Sequence, residues 1–109
     1  MKMVLAIVQD DDVKALLDKL TANGLRATKM SSTGGFLRTG NSTLLMGVDN
    51  DQVAGVVEII RTTCRKRMEI VSPAAFAPEG MGALMAQPIE VEVGGAHIFV
   101  WDIEQYGRY

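Results

Sequence analysis

A chain of 109 residues with 48% hydrophobic content can bury one modest core, and no linker or composition shift divides it, so residues 1–109 are expected to form a single domain. A net charge of −2 and a pI near 5.3 exclude the broad basic surface that a polymeric nucleic acid requires. No apolar run approaches the roughly 20 residues that span a bilayer, MKMVLAIVQDDD has no secretory cleavage site, and the single Cys64 has no partner for an internal disulfide. A cytoplasmic protein without membrane insertion is expected.

Lys2 to Gln9, KMVLAIVQ, is a short run of mostly branched apolar side chains and reads as a strand in the middle of a sheet. Asp10, Asp11 and Asp12 supply a helix N-cap and favourable negative charge, and Val13, Leu16, Leu17 and Leu20 follow at helical spacing. Asn23-Gly24 is the expected stop, because glycine closes a helix in the left-handed conformation without Cβ strain. From Leu25 the period becomes two, which predicts a second strand over 25–30 with Leu25, Ala27 and Lys29 on one face. Ser42 to Val48 resumes as a third strand with Leu44, Met46 and Val48 on one side, and the two strands form a hairpin. Asp49-Asn50-Asp51 caps a second helix whose Val53, Val56, Val57, Ile60 and Cys64 make an apolar stripe, and Arg65, Lys66 and Arg67 complement its C-terminal dipole.

Met68 to Ser72 is a short extended piece. Residues 73–88 hold all three prolines and no clear period; a loop of this length is expected to be a lid or a partner contact. IEVEV and AHIFVW, around Gly94-Gly95, carry the signal of a β-hairpin. Asp102 to Tyr109 reads as a surface tail. The fold class is therefore α+β, a ferredoxin-like βαββαβ arrangement with an additional hairpin strand and both helices on one face. The other face needs a cover, and self-association into a cyclic oligomer supplies one.

Lys19 through Val48 contains four cations, Lys19, Arg26, Lys29 and Arg38, and no acid, so the other 7 of the 11 bases stand among all 13 acids. Inside this positive island lies Thr33-Gly34-Gly35-Phe36-Leu37-Arg38-Thr39-Gly40-Asn41. Backbone NH groups freed by glycine and a guanidinium suit phosphate, an aromatic ring suits a base face, and an amide suits a base edge. The pattern points to a small nucleotide. Each feature also has a plainer reading. Arg26 fits a solvated strand charge, Phe36 a core residue, the glycines a tight hairpin, and Asn41 a turn residue bonded to its own backbone. The run is not a phosphate-binding P-loop, since no Gly-Lys-Ser/Thr follows.

Elsewhere the plain reading is the stronger. His97 has no cysteine or second histidine with which to hold a metal and reads as structural, and no metal or cofactor is expected. Cys64 reads as a small buried hydrophobe. Asp10, Asp11 and Asp12 as a cation site is less economical than a helix cap, and Trp101 and the methionines read as core or oligomer interface. Glu90 and Glu92 share a strand face without a nucleophile or metal beside them, so a solvated face is preferred to an acid-base pair.

The run Asn23-Gly24-Leu25-Arg26-Ala27-Thr28-Lys29, then Thr33-Gly34-Gly35-Phe36-Leu37-Arg38, Gly40-Asn41, and Val91-Glu92-Val93-Gly94-Gly95-Ala96 with Phe99-Val100 closely resembles the PII-like cyclic di-AMP receptors, the PstA or DarA family. AIVQDDD and Val71-Ser72-Pro73 are similar to that family too, so the resemblance runs almost end to end. It implies a homotrimer of ferredoxin-like subunits with cyclic di-AMP in the clefts between neighbours and two loops over each cleft. On that resemblance Arg26 and Thr28 contact phosphate, the backbone of Gly35, Phe36 and Leu37 lines the base, Asn41 hydrogen-bonds the adenine, and Gly47 and Phe99 shape the wall. Members of the family usually carry asparagine where this chain has Gly24, and their long loop and C-terminal residues differ from AAFAPEGMGALMAQ and Tyr106-Gly107-Arg108-Tyr109.

The expected function is a non-catalytic signal receptor that changes the loop surface shown to an unidentified downstream protein. The nearest alternative is a sensor of the same fold that prefers ATP or ADP, which a competition series separates. Two other classes remain: a small ferredoxin-like enzyme using Glu90, Glu92 or His97 as base, which requires turnover and a pH-dependent rate, and a scaffold whose melting temperature ignores nucleotides.

Overall fold

The computed structural model describes residues 1–32, 40–71 and 88–109. The elements in chain order are β1 (Lys2–Gln9), α1 (Asp10–Ala22), β2 (Thr28–Ser32), β3 (Asn41–Val48), a 3-10 turn (Asn50–Gln52), α2 (Val53–Thr63), β4 (Arg67–Val71), β5 (Ile89–Val93) and β6 (Ala96–Asp102). Four strands form one antiparallel sheet in the order β2-β3-β1-β6, and β4 and β5 form a separate two-stranded ribbon. This α+β arrangement is compatible with the expected ferredoxin-like fold.

Alternation along the strands decides which face is covered. Val4, Ala6 and Val8 of β1 and Leu44, Met46 and Val48 of β3 share one core with Val13, Leu16 and Leu20 of α1 and Val56, Ile60 and Cys64 of α2. Both helices thus pack on one side of the sheet. Burying each large aliphatic side chain contributes about 1.5–3 kcal/mol. The helical spacing read in the sequence is the reason: positions three and four apart fall on one stripe. Asn23 closes α1, its Nδ2 donating to the Lys19 carbonyl at 2.8 Å, and Gly24 follows at φ +73, the left-handed conformation expected of it.

Four local expectations are corrected. The aspartates do not cap α1; Gln9 occupies the cap position without a side-chain cap bond, and Asp10, Asp11 and Asp12 form the first helical turn. β2 begins at Thr28 rather than Leu25, because Leu25 and Ala27 are partly buried against the core instead of pairing with β3. Asp102 is the last residue of β6, ion-paired to Lys2, and not the start of the tail. The fourth concerns the Gly94-Gly95 turn. β5 pairs with β4 and β6 pairs with β1, so these glycines join two sheets and close no hairpin.

The cause of that switch lies at the junction. The Gly94 amide donates to Gln9 Oε1 at 2.6 Å, and the Gly95 amide donates to the Cys64 carbonyl. Both glycines have positive φ, +81 and +98, and a Cβ on Gly94 would collide with the Arg65 carbonyl oxygen. Two tertiary amide bonds outweigh the local turn preference.

Candidate ligand face of the sheet

The strand register carries the geometry of the site. Thr28 stands opposite Leu45, Leu45 opposite Leu5, and Leu5 opposite Phe99, so these four residues form one row across all four strands. Their parity is opposite to that of Val4 and Leu44, which sets the row on the face away from the helices. Gly47 lies two residues beyond Leu45, opposite Met3, and Asn41 four residues before it, opposite Gln9, so both share this parity. Four of the expected site residues, Thr28, Asn41, Gly47 and Phe99, therefore fall on one sheet face.

They do not fall at one point. Thr28 is on edge strand β2 and Phe99 on edge strand β6, three strand spacings apart, or about 14 Å. Between them the face is apolar, and at its margins Met30, Phe99 and Trp101 remain 42, 44 and 45% exposed in the protomer. Arg26 is exposed in the link between Gly24 and β2, two residues before Thr28. Gly35, Phe36 and Leu37 lie outside the described residues, as does nearly all of the 73–88 segment read as a lid.

The stem of β3 is held by a residue that sequence reading assigned only to helix capping. The Asp10 amide donates to the Gly40 carbonyl at 2.9 Å, and Ser42 Oγ donates to Asp10 Oδ1 at 2.6 Å. A Cβ on Gly40 would fall against Asp10 Oδ2, so any other residue there would have to push this carboxylate aside. Asn41, between the two tethered residues, is 4% exposed.

The same helical turn anchors the ribbon. Arg67 Nη2 donates to Asp12 Oδ1 at 2.8 Å and Nη1 to Oδ2 at 3.4 Å, a forked pair with the carboxylate well buried. Arg67, expected to face the dipole of α2, is instead the bridge from β4 to α1. The Asp12 hydrogen bond raises its pKa further above the ordinary guanidinium value. Burial pushes the Cys64 thiol up to about 11, helped by the Asp12 charge and opposed by Arg67 and Lys19. Such a thiol is the small hydrophobe the sequence indicated. Sequence spacing offered no signal for Asp10 or Asp12 as tethers, since their partners are 32 and 55 residues away.

The remaining residues sit as follows. His97 is exposed on β6 opposite Ile7, and Glu90 and Glu92 are exposed on β5, with Lys66 Nζ 3.7 Å from Glu92. Among the described residues no group of three or more His, Cys, Asp or Glu is arranged to hold a metal ion, and no helix is long and apolar enough to cross a membrane.

A family model described as cyclic-di-AMP receptor matches residues 1–109 of this chain. The chain is also similar to the crystal structure of a functionally unknown protein from Pediococcus pentosaceus ATCC 25745, at 39% sequence identity and a TM-score of 0.80, covering 99% of this chain and 96% of the other.

Proposed function

The chain belongs to the cyclic-di-AMP receptor family, and from that premise we propose that it is a non-catalytic receptor that assembles as a homotrimer and binds cyclic di-AMP between neighbouring copies. The match over the whole chain is the observation that carries this reading. The sheet geometry supports the intersubunit location. Thr28 and Phe99 sit at opposite edges of one copy, so a compact ligand reaches both kinds of residue most simply where the β2 edge of one copy approaches the β6 edge of the next. Met30, Phe99 and Trp101, apolar and exposed in the protomer, give such an assembly its driving force.

In this reading Arg26 and Thr28 take the phosphates, Asn41 takes the adenine edge, and Gly47 and Phe99 form the wall. Gly35, Phe36 and Leu37 line the base, where stacking on an aromatic ring contributes about 1–3 kcal/mol. Binding is relayed to a downstream protein by rearrangement of the 34–40 and 73–88 segments. A ligand shifts such an equilibrium only by its differential affinity for the two states.

Isothermal titration with cyclic di-AMP, with cyclic di-GMP, ATP and cyclic AMP as controls, tests the reading, and light scattering reports the assembly. The expected result is selective binding of one ligand per subunit. Arg26→Ala should weaken it by about 100-fold or more, the loss of charge-assisted phosphate bonds, without changing the mass of the assembly. Selective heat with ATP would favour the adenine-nucleotide sensor instead. Full affinity in Arg26→Ala would remove the phosphate assignment.

A further inference from the structure

We propose that Asp10 is a positioning residue for the ligand site: it holds both chain neighbours of Asn41 and thereby sets the direction of that amide. The inference rests on the receptor reading given above and adds to it a residue outside the ligand contacts. Asp10 reaches Gly40 through its backbone amide at 2.9 Å and Ser42 through its carboxylate at 2.6 Å. Asn41 is thus fixed on both sides by one residue of α1. Ser42 is buried, so its hydroxyl has little water to exchange for the carboxylate. Gly40 completes the device, because any side chain there would displace Asp10 Oδ2. The β1 rung at the same level, Gln9 opposite Asn41, comes from the residue preceding Asp10, so strand and helix present the stem jointly.

Acting through its charge alone, a carboxylate on the stem of a site for an anionic ligand would weaken binding, and that gives the proposal a distinguishing sign. If Asp10 acted only through its charge, both Asp10→Ala and Asp10→Asn would tighten cyclic di-AMP binding. As a positioning residue it behaves otherwise. Asp10→Asn keeps an acceptor oxygen for Ser42 and should bind as well as the wild type or better, whereas Asp10→Ala should bind about tenfold more weakly. Gly40→Ala, which leaves the carboxylate in place but pushes it aside, should fall with Asp10→Ala.

The experiment is titration of the full chain and these variants with cyclic di-AMP, together with amide hydrogen exchange of residues 41–43 without ligand. Faster exchange at 41–43 with weaker binding in Asp10→Ala and Gly40→Ala, both restored in Asp10→Asn, is the expected result. Wild-type affinity in Asp10→Ala, or tighter binding in both Asp10 variants, would overturn the positioning role. So would unchanged exchange at 41–43. A wild-type chain that gives no heat would overturn the receptor reading itself, a separate failure.

Discussion

β1 and β3 carry apolar side chains at alternate positions, and so do β4 and β5, yet Val4, Ala6 and Leu44 are fully buried whereas Met68, Ile70 and Ile89 are 57, 73 and 51% exposed. Alternation alone does not separate the two cases; what covers the strands does. The four-stranded sheet has α1 and α2 across one face. Among the described residues no helix covers either face of the ribbon, which is held by its base, through Arg67 to Asp12, Gly94 to Gln9 and Gly95 to Cys64. An isolated two-stranded ribbon is marginal in water, so these few bonds decide whether it keeps its place. The body is stabilised by volume filled, the ribbon by points of attachment.

The sharpest way to break this comparison is to remove side-chain volume from each region. Leu16→Ala should cost about 2–5 kcal/mol in a urea titration, since the cavity opens between α1 and the sheet. Ile70→Ala should change stability by less than about 0.5 kcal/mol. A cost at Ile70 approaching that at Leu16 would mean that the assembled protein buries the ribbon. Next comes the attachment itself. Arg67→Ala leaves the buried Asp12 carboxylate without its forked partner and should cost the ribbon about 1–3 kcal/mol. Hydrogen exchange should show faster amides in β4 and β5 with β1 and α1 little changed; a uniform loss across both sheets would deny the ribbon its separate standing.

The smallest effect lies where the two regions meet. The Cys64 thiol is held near 11 against an ordinary 9.0, so the fold favours its protonated form. That contribution is fully present below about pH 9 and is lost as the pH rises through 11. The gap in urea midpoint between the wild type and Cys64→Ala should therefore shift against the wild type over this window. Parallel pH profiles would show that the thiol does not sense its burial.

What could be read from the sequence follows the range of the physics involved. Helix stripes such as Val56, Ile60 and Cys64, the stop at Asn23-Gly24, and the alternation of Leu44, Met46 and Val48 are set by neighbours within one or two turns, and they were legible. Gly94-Gly95 misled because a hairpin signal is local, whereas the partners that open it, Gln9 and Cys64, are distant in the chain. Asp10 to Asp12 misled in the same way, since the capping rule is sound for an isolated helix and these carboxylates answer to Ser42 and Arg67. For the site, the family resemblance supplied Thr28, Asn41, Gly47 and Phe99, and the register set all four on one sheet face. The placement of Thr28 and Phe99 on opposite edge strands needed strand order, which no spacing along the chain encodes.

The pairing of β1 bears on how the chain becomes a protein at all. Its two neighbours in the sheet are β3 and β6, and the register that joins Lys2 to Asp102 spans nearly the whole chain, with the Ile103 amide closing onto the Met1 carbonyl. During synthesis β1 emerges before both partners and waits for β6 until every element between them has been made. Until then its unpaired backbone edge stays open to other chains. Closing a sheet centred on β1 therefore waits on contacts of high sequence separation, which slow it, and makes nascent chains that stall before β6 the ones most exposed to aggregation.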